Sequence, residues 1–313
     1  MTALYLIGGF LLLLLGGEFL VRGSVGVALK LRVSKVVIGL TLVAFATSAP
    51  ELLVSVVAAL KGKSDIALGN VIGSNIANIG LILGVTALLF KMQAVRLEYQ
   101  RDWYFLLAAN FLLAVFLWLG GINQIQGLLL VLLLIFYNIQ KIRSARKQRS
   151  LKIGEEIHGY QMATWKGVAL IVIGALGLSF GAKVFVIGIS GIALQFGMTE
   201  RFVAVTMVAF GTSVPELVAS LVAARKGESD IAIGNIIGSN IFNIGSVLGL
   251  TAIIKPIVVD DPLIVSRDLI WMLIFAVILL PLSLILKRNQ FRKTEGFALV
   301  FIYGIFIYKV FMS

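Results

Sequence analysis

The sequence predicts an all-α membrane protein of ten transmembrane helices, arranged as two five-helix repeats of inverted topology. Three observations predict it. Apolar residues fall in long blocks, basic residues crowd into alternate connectors, and one segment of the first half returns almost unchanged in the second.

The blocks set the class. The 313 residues are 59% hydrophobic and 13% charged, with a mean hydropathy of +1.03. A soluble domain carries about twice that charge fraction. An apolar run of about 18 or more residues can cross the hydrocarbon core, and helix is the default because lipid offers the backbone no hydrogen-bond partner. In order, the spans read as 3–29, 36–60, 66–89, 103–120, 124–143, 165–194, 201–225, 230–254, 268–286 and 296–311. The first 15 residues lack a basic n-region and an A-x-A site, so they read as the first span and not as a cleaved leader. Strand-type alternation is absent. The units are a first repeat at 1–143, a basic linker at 144–164 and a second repeat at 165–313.

The connectors set orientation. One side carries Lys30, Arg32, Lys35, Lys91, Arg96, Arg101, the cluster from Lys141 to Lys166, Arg225, Lys226, Lys287, Arg288, Arg292 and Lys293. The other carries Lys61, Lys63, Arg201, Lys255, Arg267 and Lys309. The balance is about 19 to 6, so the first side reads as cytoplasmic, with both termini outside a cell membrane. This placement also explains the net charge of +12 without invoking nucleic acid. The 144–164 linker has no EF-hand-like acidic loop. His158, the single histidine, reads as solvated there. With no cysteine, disulfides, thiolate metal sites and Cys nucleophiles are excluded. No nucleophile–base constellation or cofactor motif points to an enzyme, and no cofactor is expected.

The duplication carries the function. Residues 41–87 and 206–252 align without gaps at about 33 identities in 47 positions. Upstream the match is fainter: Gly16, Val21, Gly23, Gly26, Ala28 and Leu29 correspond to Gly181, Val186, Gly188, Gly191, Ala193 and Leu194. Five spans per repeat is odd, so the second repeat enters the membrane from the opposite side, as in secondary transporters. Packing symmetry would preserve size and apolarity. It does not explain duplicated Glu, Asn, Ser and Thr in the middle of spans.

Glu51 and Glu216 lie deepest, each in T-S-x-P-E. A charge at mid-bilayer normally faces a cavity and a counter-ion. Thr47, Ser48 and Ser55 share a helical face with Glu51, and Thr212, Ser213 and Ser220 repeat the pattern with Glu216. Pro50 and Pro215 remove an N–H and should free carbonyls around Ala44 to Thr47 and Ala209 to Thr212, next to the small residues Ala46 and Gly211. Pro281 reads as an ordinary kink. In the next helix, Asn70, Ser74 and Asn78 form a stripe at spacing four, repeated by Asn235, Ser239 and Asn243. Gly69 and Gly73, like Gly234 and Gly238, form small-xxx-small seams for close helix contact. Asn75 and Asn240 read as helix-to-helix glue. The donors are all hard oxygens, which argues against Zn²⁺, Cu and Fe and suits Ca²⁺ and Na⁺. Two carboxylates balance one Ca²⁺.

At these residues the chain resembles the cation/calcium antiporter superfamily, and within it the short prokaryotic sodium/calcium exchangers. The two "TSxPE" and "GSNxxN" segments look like its alpha-repeats. The resemblance implies ions bound between helices 2, 3, 7 and 8. It implies Glu51 and Glu216 as acidic ligands, and Thr47, Ser48, Ser74, Thr212, Ser213 and Ser239 as hydroxyl or backbone ligands. It implies carbonyls from Ala44 and Ala209, with Asn78 and Asn243 beside the central site. It further implies Na⁺ and Ca²⁺ as transported ions, typically three for one. Helices 1 and 6 would be a sliding gate, with Gly16, Gly17, Gly23, Gly26, Gly181, Gly188 and Gly191 as its smooth surface. Glu18 and Arg22, spaced i,i+4, read as a structural ion pair. Some relatives carry Asp where this chain has Asn243, and proton-coupled relatives usually carry G-N-x-x-E in place of T-S-x-P-E. A Ca²⁺/H⁺ antiporter is the alternative on the same fold, and a passive cation channel is the alternative from another class. One chain supplies every donor, so a monomer can suffice.

Overall fold

With no water at hand, each segment must close its own backbone hydrogen bonds, and among the described residues the chain does so in ten helical rods. The computed structural model describes residues 2–31, 33–93, 96–151, 162–195, 200–284 and 290–312. Within these, residues 96–98, 145–151, 200–210, 280–284 and 311 are described by their backbone alone. His158 lies outside the described residues, as do Arg32, Lys287 and Arg288.

The first repeat holds α1 (Thr2–Leu31), α2 (Lys35–Thr47 continuing as Ala49–Leu60), α3 (Ser64–Leu89), α4 (Arg96–Trp118) and α5 (Gln124–Leu151). The second holds α6 (Thr164–Gln195), α7 (Glu200–Arg225), α8 (Ser229–Ile254), α9 (a wide turn at Ile264–Asp268 leading into Leu269–Leu284) and α10 (Lys293–Met312). Rod α5 runs eight residues past the expected span end at 143.

Each peripheral rod packs against its opposite number or a core helix of the other repeat. Rods α1 and α6 lie antiparallel with backbones touching: a Cβ on Gly9, Gly16 or Gly23 would overlap the backbone at Phe185, Leu178 and Gly167. Rod α4 lies on α9, where Tyr99 and Trp103 donate to the carbonyls of Leu279 and Ala276 at 2.8 and 2.7 Å. Rod α5 covers α8 and α10 covers α3. Inside this shell stand α2, α3, α7 and α8.

Short antiparallel pairs join the connectors, which the hydropathy pattern did not foretell. β1 (Met92–Gln93) pairs with β4 (Gln290–Phe291), and β2 (Gly121–Ile122) pairs with β3 (Ile257–Val258). Two residues are too few for alternation to register. The pairing matches ten alternating spans: the connectors after α3 and α9 share one face, and those after α4 and α8 share the other. Asp65 on that second face accepts the Asp260 N–H at 3.1 Å, consistent with this.

Candidate ion site between the two repeats

The two acidic groups expected deepest are indeed buried, Glu51 at 0% and Glu216 at 1% exposure. The chain holds them differently. Rod α2 stops at Thr47, bends by 44° and restarts at Ala49. Pro50 then sits in the first turn of the new segment, where a missing N–H costs nothing. Glu51 follows in that turn, where free N–H groups favour a carboxylate. Rod α7 instead carries Pro215 inside one unbroken helix.

The proline effect is narrower than the sequence suggests. Proline removes the N–H that would reach four residues back, so Pro50 releases Ala46 and leaves Ala44 untouched. The Ala44 carbonyl accepts Ser48 N–H at 3.0 Å and Thr47 Oγ1 at 3.3 Å, so it is not free as expected. Ala209 falls in the backbone-only stretch of α7, and its contacts lie outside the described ones.

The remaining donors interlock as mirror images. Asn70 Nδ2 donates to the Glu51 carbonyl (3.2 Å) and to Ser55 Oγ (3.0 Å). Asn235 Nδ2 donates to the Glu216 carbonyl (3.4 Å) and to Ser220 Oγ (3.1 Å). Each amide oxygen accepts the threonine of the other repeat: Thr47 Oγ1 to Asn235 Oδ1 at 3.1 Å, and Thr212 Oγ1 to Asn70 Oδ1 at 3.4 Å. Thr47 also lies 3.3 Å from Ser239 Oγ, Ser213 lies 3.4 Å from Ser74, and Ser48 donates to Glu216 Oε1 at 3.4 Å. One turn on, Asn78 donates to Asn240 Oδ1 at 3.0 Å and Asn243 to Asn75 Oδ1 at 3.1 Å. In both repeats a wide π-type turn begins at that asparagine, over Asn78–Leu83 and Asn243–Leu248. Such turns recur at functional sites, and nothing in the side-chain pattern announces them.

What remains is a set of buried oxygens with no hydrogen-bond partner among the described residues: both of Glu51, Oε2 of Glu216, and the amide oxygens of Asn78 and Asn243. Uncompensated carboxylates in so dry a place cost several kcal/mol. A cation removes that cost. Among the described residues no three of His, Cys, Asp or Glu gather, so neutral oxygens must complete any shell around it. Asn70 and Asn235 add to the expected site residues: from the polar stripes they tie each glutamate carbonyl to a serine. Their spacing of four from Ser74 and Ser239 was the available signal.

Two expected contacts differ. The Gly234 and Gly238 seam packs on α2, but among the described residues nothing lies within 4 Å of a Cβ built on Gly69 or Gly73. Glu18 pairs with Lys226 rather than with Arg22, because α1 crosses the end of α7 there.

The family model for sodium/calcium exchanger protein matches residues 1–142 and 166–312. The chain belongs to this family. Among its relatives, a putative antiporter CaxA of Alkalimonas amylolytica is 35% identical over 100% of this chain and 99% of its own. The sodium/calcium exchanger MaX1 of Methanosarcina acetivorans is 33% identical, over 96% and 98%. Solved structures of the sodium-calcium exchanger NCX_Mj superpose with TM-scores of 0.81 and 0.84 at 30% and 29% identity, covering 98% of this chain and 97% of theirs. As a family member, this chain is an integral membrane cation exchanger that works by alternating access.

Proposed function

We propose that the chain exchanges Na⁺ for Ca²⁺, and that both ions use the chamber between α2, α3, α7 and α8. One observation carries this: one glutamate from each repeat, buried, with three of their four carboxylate oxygens lacking a partner among the described residues. One Ca²⁺ or two Na⁺ neutralise the pair. A third Na⁺, as in the coupling typical of the family, would move one net charge per cycle. The ligands are Glu51, Glu216, Asn78 and Asn243, with the hydroxyls of Thr47, Ser48, Ser74, Thr212, Ser213 and Ser239 completing the shell, joined by the carbonyl of Ala209 and by that of Ala44 once its present bonds loosen. An empty chamber leaves buried charge exposed to low dielectric, so the empty carrier crosses poorly and the loaded one crosses well. That supplies the coupling. The basic connectors support a cytoplasmic 144–164 linker and both termini outside the cell membrane.

The test is radiocalcium flux in proteoliposomes under Na⁺, K⁺ and H⁺ gradients applied separately. Uptake should follow Na⁺. Uptake that ignored Na⁺ and followed pH would move the reading to Ca²⁺/H⁺ exchange. Absence of trans-stimulation by unlabelled Ca²⁺ would leave a channel. Glu51→Gln and Glu216→Gln should each abolish Ca²⁺ flux while the protein stays folded.

A further inference from the structure

The asparagines one residue after the site serines are buried to 1% (Asn75) and 0% (Asn240), and among the described residues neither hydrogen-bonds a carboxylate. We propose that Asn75 and Asn240 are positioning residues that decide which atom Asn243 and Asn78 show to the ions. This rests on the ion-site reading above.

An amide side chain has two faces, an oxygen that attracts a cation and an N–H₂ that repels one. Rotation by half a turn swaps them, so a ligating asparagine needs something that holds it one way. Asn75 Oδ1 takes the Asn243 N–H at 3.1 Å, which turns the Asn243 oxygen the opposite way, where it is buried without a partner. Asn240 Oδ1 takes the Asn78 N–H at 3.0 Å with the same result. Each positioning residue thus acts on the other repeat, and each sits on the neighbouring core helix.

The two are not equally firm. Asn75 is itself pinned, because its Nδ2 donates to the Asn240 carbonyl at 3.3 Å and to Met272 Sδ at 3.8 Å. It cannot turn without losing both contacts, so its oxygen must face Asn243. The Nδ2 of Asn240 has no partner among the described residues. The pair Asn240–Asn78 can turn over together and keep its hydrogen bond, with Asn240 as donor. So Asn243 is held as an oxygen ligand by a rigid relay, and Asn78 by a reversible one. Without its relay, Asn243 would expose N–H to the chamber for part of the time.

The experiment is a double-mutant cycle on direct Ca²⁺ binding by purified full-length protein, with melting temperature read in parallel. Asn75→Leu should weaken Ca²⁺ affinity by about tenfold or more, the size usual when a partner of a metal ligand is removed. Asn243→Ala should weaken it at least as much. The double variant should bind no worse than Asn243→Ala alone, because Asn75 then has nothing left to orient. Equal, additive losses in both backgrounds would reduce Asn75 to helix glue and overturn the proposal. Should Asn75→Leu fail to fold, the mirror cycle of Asn240→Leu with Asn78→Ala reads the same coupling, smaller in size, and additivity there overturns it as well. Wild-type binding that Glu51→Gln abolishes, together with an additive cycle, would sink the positioning role and leave the ion site standing.

Discussion

The two ends of the α2, α3, α7 and α8 core are built from nearly the same residues and packed in opposite ways. At one, α8 lies directly on the first half of α2. A Cβ added at Gly234 would come within 2.9 Å of the Val36 carbonyl oxygen, and one at Gly238 within 2.8 Å of Ala44 Cβ. Every residue from Ile231 to Gly249 is buried. At the other, the matching positions on α3 stand clear: Ile66 and Gly69 are exposed, Asn70 and Gly73 half-exposed. The turns differ too. Lys226–Gly227–Glu228 ties Glu228 to Lys35 at 2.7 Å and Lys226 to Glu18. Its counterpart reads Lys61–Gly62–Lys63, and an offset of 165 residues puts Lys183 opposite Glu18. The helix motifs are almost identical but the turns are not, so the latches Lys35–Glu228 and Lys226–Glu18 are available to one end only. Exchanging the two packings is the kind of motion that alternating access requires.

The largest expected effect comes from filling the seams. Gly238→Val forces a side chain into the Leu40 and Ala44 contact, and overpacking of that kind costs about 1–3 kcal/mol. It should lower the melting temperature by several degrees. Gly73→Val meets nothing within 4 Å among the described residues and should leave stability nearly unchanged while stopping transport, because that end could no longer shut. Equal destabilisation by both would break the comparison. A gentler probe uses the absence of native cysteine. Ile66→Cys should react with a maleimide and Ile231→Cys should not, as their exposures of 49% and 1% demand. Added Ca²⁺ that evened the two rates would sharpen the picture. Smallest is the latch. Glu228→Gln loses a partly exposed ion pair worth about 0.5–1 kcal/mol. It should change the exchange rate only a few-fold, with less effect at high salt.

Much of this was readable beforehand, for physical reasons. The spans showed because lipid demands unbroken apolar runs, and the donors because a buried Glu, Asn or Ser is costly enough to stand out twice. Other features depend on through-space geometry. The Ala44 carbonyl is occupied because the helix ends on Ser48, whose N–H it accepts, and because Thr47 folds back on its own turn. The break at Ser48 has no counterpart at Ser213, although both precede a proline by two residues. Gly69 and Gly73 look like a contact seam, but a Cβ built on either would touch nothing among the described residues, since a motif says what a helix can pack against and not what lies beside it. Glu18 found Lys226 rather than its sequence neighbour because helix crossing brought the more distant cation nearer.

The paired connectors set a timetable for biogenesis. Met92 waits for Phe291, and Gly121 for Val258. A ribosome that has delivered the first five spans has made strands whose partners do not yet exist, so the early half must idle in the bilayer with unfinished edges. Only when Gln290–Phe291 arrives, just ahead of the tenth helix, can Met92–Gln93 be paired. Truncation near the C-terminus should therefore damage the oldest part of the nascent protein as surely as the newest.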